Sequence, residues 1–229
     1  MGTLFLRHRD PFLLEMMEDP DCDEEKLFRT YKQFAYVNRV IAGWRRVYKK
    51  WLRPRLLGGP STLLDIGCGG GDLVSMIAKW ARADGLQLDI TAIEPNERAI
   101  RYLRTQELPE NISYRRATSS DLVAEGRNFD VVISNHLIHH LSEEELRGLL
   151  EDSTILASKL SIHNDIRRDD LAYAGFATTR LVFRKSFITE DGLTSIRRSY
   201  LPSELRQLIP PEWRVIPMAF FRNLLIWEP

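Results

Sequence analysis

The ten residues Leu63-Leu64-Asp65-Ile66-Gly67-Cys68-Gly69-Gly70-Gly71-Asp72 constrain this chain more than any other stretch. An apolar run that ends in an acid and then meets glycine at 67, 69 and 71 describes a strand turning sharply into a loop. Glycine tolerates positive φ and lets a ligand approach the main chain closely, so such a loop is built to cradle one. Dinucleotide-binding loops are usually spaced Gly-x-Gly-x-x-Gly, which would require glycine at 72, where this chain has Asp72.

Around this loop the chain alternates between strand and helix patterns. Thr62 to Ile66 reads as the first strand and Leu73 to Ala83 as the helix after the loop. Strands follow at Gln87 to Glu94, Ile112 to Ala117, Phe129 to Ser134 and Lys159 to Asn164, with helices at Glu97 to Gln106 and Glu143 to Ala157. This order implies a parallel sheet with right-handed crossovers and helices on both faces. Trp213 to Met218 and Phe221 to Trp227 suggest a closing hairpin, so the last strand is expected to run antiparallel. Before the loop, Leu27, Tyr31, Phe34, Val37, Ile41, Trp44, Val47, Tyr48 and Trp51 recur at helical intervals, which predicts a helix from Glu24 to Leu52 that stops before Pro54. The expected organisation is a helical cap over 1–57 and an α/β core over 58–229, with a lid-like insertion at about 166–199.

A length of 229 residues suits one α/β unit. Lysine plus arginine number 32 and aspartate plus glutamate also 32, so no net field favours a polyanionic partner such as nucleic acid. Two cysteines, Cys22 and Cys68, do not make a disulfide framework and fit a reducing, cytoplasmic setting. The first 18 residues interrupt their apolar positions with Arg7, His8, Arg9, Asp10 and Pro11, unlike a signal peptide.

The Asp-x-Gly-x-Gly-x-Gly pattern resembles motif I of the class I S-adenosylmethionine-dependent methyltransferases. That resemblance implies a Rossmann-like fold with a mostly parallel seven-stranded sheet and S-adenosylmethionine as cofactor, released as S-adenosylhomocysteine. It implies that Asp65, Gly67, Cys68, Gly69 and Gly71 cradle the methionyl part. Glu94, 23 residues beyond Gly71, takes both ribose hydroxyls, and Pro95 opens the next helix. Where the family places an adenine-binding acid, this chain has Ala117-Thr118-Ser119, so Thr118 and Ser119 are the expected adenine contacts, with Asp121 a substitute. Cys68 reads as a small pocket residue and not a nucleophile. The helix with Phe34-Ala35-Tyr36-Val37-Asn38 and Trp44-Arg45-Arg46 resembles that of methyltransferases acting on ubiquinone and menaquinone precursors. It keeps the asparagine at Asn38 and replaces the family's tyrosine and aspartate with Phe34 and Ala35. Further likeness is to small-molecule methyltransferases of bacterial secondary metabolism.

Chemistry is expected at the carboxyl edge of the fourth strand, where Asn135-His136-Leu137-Ile138-His139-His140 follows. Histidine serves as a base near neutral pH, which a phenol acceptor needs. His139 or His140 is the expected base, and His136 and Asn135 face the cofactor. Asn38, His163 and Asp165 are the expected acceptor contacts. A metal on 163–165 is disfavoured, because Asn135 and His136 stand where an acidic ligand would, and no metal is expected. The partner is a small-molecule acceptor, with methylation at oxygen ahead of carbon. The basic-aromatic run from Trp44 to Arg55 reads as a packed helix with solvated cations, and a transient membrane-surface contact is the other use open to it. Arginines at 167, 168, 180, 184, 197 and 198 leave an RNA or protein substrate as a lesser alternative. A regulatory module without turnover and a nucleotide-dependent oxidoreductase are the competing classes. Oligomeric state does not follow from these residues.

Overall fold

The computed structural model describes residues 3–229. A 3-10 turn at Met16–Glu18 precedes α1 (Glu24–Val40), α2 (Trp44–Val47), a π-helical turn at Tyr48–Leu52 and α3 (Arg53–Arg55). The alternating part comprises β1 (Ser61–Ile66), α4 (Asp72–Ala83), β2 (Leu88–Ile93), α5 (Glu97–Leu103), β3 (Ile112–Arg115), α6 (Ser119–Ala124), β4 (Phe129–Asn135), α7 (Glu143–Leu156) and β5 (Ala157–Ile166). Three helices follow, α8 (Asp170–Ala177), α9 (Ile188–Arg198) and α10 (Pro202–Leu208), and then β6 (Arg214–Met218) and β7 (Arg222–Trp227).

The seven strands form one sheet in the order β3-β2-β1-β4-β5-β7-β6. β1 to β5 pair in parallel, and β7 is antiparallel to both β5 and β6. The expected Rossmann-like architecture with an antiparallel end is therefore present. Strand order reverses between β1 and β4, and in open α/β sheets the crevice at such a reversal is where ligands bind.

The central strands are buried on both sides, which is why they read as apolar runs and not as alternations. On one face Leu63, Ile90, Val131, Ile133 and Leu160 pack with Val74, Ile77 and Ala81 of α4 and with Trp44, Tyr48 and Leu52. On the other, Leu64, Ile66, Val132 and Leu225 meet Leu146, Leu149 and Leu150 of α7 and Leu205 of α10. Helix starts are capped locally, as at Asp23, whose carboxylate accepts the Lys26 amide, and at Ser142, which forms a capping box with Glu145.

Two expectations need correction. The long helix from Glu24 breaks after Val40, because Gly43 takes a left-handed conformation with φ 69° and redirects the chain. It resumes and runs past Pro54 by way of the π-helical turn at Tyr48–Leu52, whose last hydrogen bond, from the Arg53 amide to the Tyr48 carbonyl, falls just ahead of the proline.

Residues ahead of α1 are tied across the sheet's carboxyl edge. Asp170 accepts the Leu6 amide at 3.0 Å, Asp191 accepts the Met16 amide at 2.6 Å, and Arg9 donates to the carbonyls of His139 and Leu141 at 3.0 and 2.8 Å. Among the described residues no helix is long and apolar enough to cross a membrane.

Candidate active site

A cavity of about 430 Å³ opens at the carboxyl ends of β1, β2 and β4, beneath α1, α8 and α9. Its floor is the loop from Gly67 to Asp72. Gly69 has φ 52°, and a Cβ built there would meet no atom within 4 Å, so the position opens onto free space. Gly71 has φ 73°, and a Cβ there would lie 2.7 Å from Leu103, so this glycine is needed for packing as well as for conformation.

Three carboxyl groups gather at this loop. Glu94 is buried at the end of β2, accepting the Gly69 amide through Oε2 at 3.0 Å and the Asn96 amide through Oε1 at 2.9 Å. Asp65 is 1% exposed, and its Oδ1 has no hydrogen-bond partner among the described residues. Burial pushes its carboxyl well above the usual range, and the nearby Asp72 and Glu94 add to the effect. Asp72 is pushed up to about 6 by burial, against hydrogen bonds from Asn38 and the loop backbone. Burial also raises Glu94, an effect that its two backbone hydrogen bonds oppose. A cluster that resists its own ionisation in this way is a receptor for positive charge.

A relay of hydrogen bonds joins the loop to the N-terminal helices. Trp44 Nε1 donates to Asn135 Oδ1, Asn135 Nδ2 to Asn38 Oδ1, and Asn38 Nδ2 to Asp72 Oδ2, each at 2.9 Å. Arg222 on β7 donates to the same Asn135 oxygen at 3.0 Å and lies 3.2 Å from His136 Nε2. Burial and the Arg222 charge hold His136 well below the ordinary histidine range, so it lines the cavity as a neutral ring.

The other two histidines of the β4 loop differ from it and from each other. His139 is buried, with Nδ1 2.7 Å from Asp165 Oδ1 and Nε2 3.4 Å from Glu15 Oε1. Burial lowers its pKa, but Asp165 and Glu15 outweigh that and raise it to about 9, so the ring is cationic at neutral pH. His140 is half-buried and places Nδ1 2.8 Å from Glu18 Oε1. Burial opposes the Glu18 carboxylate, yet hydrogen bonds from His140, the Glu15 backbone and Arg198 bring it down to about 2. Much of the remaining wall is apolar and includes Phe34, Val37, Ile166, Phe176, Ile188 and Phe221.

Most of the expected site residues border the cavity: Asp65, Gly67, Cys68, Gly69, Glu94, Pro95, Asn38, Asn135, His136, His139 and His140. Burial raises the Cys68 thiol well above its usual range, which fits a wall residue and not a nucleophile. Five expectations are corrected, the first being Gly71, which packs against Leu103 and is not among the residues that line the cavity. Thr118 is the exposed N-cap of α6, engaged with Asp121 in a capping box, and Ser119 Oγ donates to Asp152 at 2.6 Å; neither lines the cavity. His163 points to the helix-covered face of β5, because side chains alternate along a strand. It bonds Ser134 at 2.7 Å and stacks on Trp213, and burial lowers it to about 3. Asp165 also lies behind the wall, where it orients His139.

The structure adds Glu15, Glu18, Asp72 and Arg222 to the site. Asp72 was legible as the acid closing the glycine motif. Glu15 and Glu18 lie in a segment without periodicity, and Arg222 opens β7 ahead of its apolar run, so no local pattern marks them.

The arrangement of glycine loop, strand-end carboxylate and sheet order defines the class I methyltransferase fold, and a methyltransferase-domain family profile matches residues 63–156. The chain therefore has the class I methyltransferase fold, and over residues 63–156 it is similar in sequence to methyltransferase domains. It is 40% identical over 85 residues to the ubiquinone biosynthesis O-methyltransferase of Caulobacter vibrioides, covering 36% of this chain and 31% of that protein. A 37% match over 84 residues links it to the corresponding enzyme of another Caulobacter species. The chain thus spans about a third of the length of these relatives. Among solved structures it resembles the plantazolicin methyltransferase BpumL in complex with S-adenosylhomocysteine, with TM-score 0.63 and 15% identity over 90% of this chain and 96% of that one. Human N-acetylserotonin methyltransferase is similar at TM-score 0.63 and 13% identity, over 90% of this chain and 56% of that one.

Proposed function

We propose that this chain transfers a methyl group from S-adenosylmethionine to an oxygen of a small apolar aromatic, quinone-like or polyketide acceptor. The observation that carries the reading is the charge of the glycine loop, where Asp65, Asp72 and Glu94 converge on one end of the cavity. A dinucleotide would bring a pyrophosphate to these carboxylates, whereas S-adenosylmethionine brings an ammonium group. The residues present fit that molecule: Asp65 Oδ1 is a buried acceptor in need of a donor, Gly69 leaves room above the backbone, and Glu94, which borders the cavity at the end of β2, is the acceptor we assign to the ribose hydroxyls.

When bound, the cofactor supplies a sulfonium methyl for in-line displacement. The protein's part is to hold the acceptor oxygen in line and keep water out, and the apolar walls contributed by α1, α8 and α9 suit both tasks. The N-terminal cap (residues 3–57 as described) and the 166–199 lid close over this acceptor end. His140, with Nδ1 tied to Glu18, presents Nε2 as the base that takes the acceptor's proton. The cationic His139, held by Asp165 and Glu15, stabilises the oxyanion that forms.

The alternative of an RNA substrate loses support from the lid's arginines. Arg167, Arg168, Arg180, Arg197 and Arg198 each pair with a carboxylate. In the basic helical run, Trp44 and Tyr48 are buried while Arg46, Lys49 and Lys50 are exposed, which leaves that face for transient contact with an anionic surface in the cytoplasm.

Calorimetric titration with S-adenosylmethionine, S-adenosylhomocysteine and NAD tests the reading. Micromolar binding of the two sulfur compounds and none of NAD is expected; NAD binding, or no binding of either sulfur compound, overturns it. A panel of phenols and quinols assayed by mass spectrometry then tests the acceptor class, with His140→Ala expected to lower kcat and to spare cofactor affinity.

A further inference from the structure

His139 and His140 are each anchored through Nδ1 by a carboxylate, Asp165 at 2.7 Å and Glu18 at 2.8 Å. That leaves both Nε2 atoms free of those partners, and both turn toward a third acid, Glu15 of the N-terminal segment. His139 Nε2 is 3.4 Å and His140 Nε2 3.9 Å from Glu15 Oε1, and the three donor atoms all lie within 4.8 Å of one another. Ligands bound at about 2.0–2.1 Å to a tetrahedral ion sit about 3.4 Å apart. Of the three pairs, His139–Glu15 is already at that spacing, His140–Glu15 needs a closure of about 0.5 Å, and the two histidine nitrogens, within 4.8 Å of each other, close by a small rotation of the His140 ring.

We propose that Glu15 Oε1, His139 Nε2 and His140 Nε2 form a binding site for a divalent transition-metal ion of the zinc or iron(II) kind on the wall of the cavity. Two imidazoles and one carboxylate select such borderline ions, whereas calcium and magnesium favour all-oxygen sites. A carboxylate on the far nitrogen of each ligating histidine is the usual outer support of metal sites, fixing the ring and its tautomer. Here that support is complete, because Glu18 is in turn held by Arg198 at 2.6 Å and Glu15 accepts the Ser195 hydroxyl. The third histidine of the loop is excluded, since His136 faces the Arg222 guanidinium.

All three donors line the cavity, so one side of the ion stays open to it. In its role, though not in its existence, the site rests on the methyl-transfer reading: the open position would take the acceptor's oxygen as an anion. With the ion bound, His139 and His140 are both ligands: the ion takes the place of the His139 Nε2 proton, which leaves to solvent, and it replaces both rings in holding the acceptor's oxygen as an anion, whose proton also passes to solvent. The acceptor class narrows to molecules with a phenol or enol oxygen able to coordinate.

The test is titration of the chelator-treated protein with cobalt(II), read by its visible d–d absorption, and zinc competition on the same sample. One equivalent is expected to bind and to be displaced by zinc. The isosteric change Glu15→Gln and the change His139→Ala should abolish the band, and Glu18→Gln should weaken binding 10-fold or more through the orientation of His140. Retained affinity for S-adenosylhomocysteine in each variant shows that the fold survives. No band in the unaltered protein, or a band unchanged in Glu15→Gln, overturns the site. Either of those results with S-adenosylhomocysteine still bound leaves the methyl-transfer reading standing, whereas a cobalt band without cofactor binding leaves the metal site and defeats that reading.

Discussion

Glu94 reaches from the end of β2 to the glycine loop and accepts the Gly69 amide through Oε2 at 3.0 Å, so one carboxylate both shapes the loop and borders the cavity. Removing its charge at constant size should therefore act on the loop and on ligand binding together. Hydrogen bonds to a charged partner are worth about 1.5–3 kcal/mol, which corresponds to roughly 10- to 150-fold in affinity. Glu94→Gln is expected to weaken S-adenosylhomocysteine by that factor in calorimetry, and an unchanged Kd would remove Glu94 from the cofactor site.

Gly69 and Gly71 should separate binding from stability. A side chain at 69 enters open cavity, while one at 71 meets Leu103 at 2.7 Å. Gly71→Ala should cost about 1–3 kcal/mol through positive φ and crowding, a Tm lower by several degrees, with cofactor affinity changed only a few-fold. Gly69→Val should lower affinity 100-fold or more by filling the cradle, with a Tm loss of its own from a β-branched side chain at φ 52°, so that affinity and not Tm separates the two positions. Full cofactor affinity in Gly69→Val would sink the cradle.

The contrast between these glycines and the acids at 15 and 18 shows what could be read from the chain. The loop, Asp65, Glu94 and the alternation of strands and helices are local in sequence, so spacing and hydrophobic pattern reveal them. Glu15 and Glu18 reach the site through contacts about 120 to 180 residues distant, with His139, His140, Ser195 and Arg198, and nothing near them in sequence reports those partners. His163 was misplaced for a related reason. The end of a strand is visible in sequence, but the face on which residue 163 falls depends on register, and there the side chain turns to Trp213 and not to the cavity. Thr118 was misjudged because its hydroxyl is used locally, capping α6.

Cofactor affinity should depend on pH through Asp72. Burial holds this carboxyl up to about 6, so the group is protonated below that value and ionised above it. A cationic ligand favours the ionised form, and binding it pulls the pKa down. The sign follows: affinity for S-adenosylhomocysteine is highest above about pH 7 and falls as pH drops through 6, at most about tenfold per unit. Asp72→Asn should bind more weakly at pH 8 and lose most of this slope. Calorimetry between about pH 5 and pH 8 on both proteins decides the matter, and equal slopes would assign the titration elsewhere.

Phe176 of α8 lies directly against Gly192 of α9, and both border the cavity. A Cβ built on Gly192 would fall 2.0 Å from the Phe176 ring, too close for any adjustment of α9 alone, so the ring must swing away. Gly192 is not at positive φ, so Gly192→Ala carries no backbone strain, and its effect is confined to the displaced ring. Neither residue belongs to the glycine loop or to its carboxyl cluster, so cofactor affinity should stay within about twofold. Acceptor KM should rise by roughly an order of magnitude, the scale of one lost apolar contact of about 1–2 kcal/mol. Pairing it with Phe176→Ala relieves the clash, so the double variant should recover toward the KM of Phe176→Ala alone. Additive losses in the double variant, or a parallel loss of cofactor affinity in Gly192→Ala, would show that this contact supports the lid's fold and does not shape the acceptor pocket.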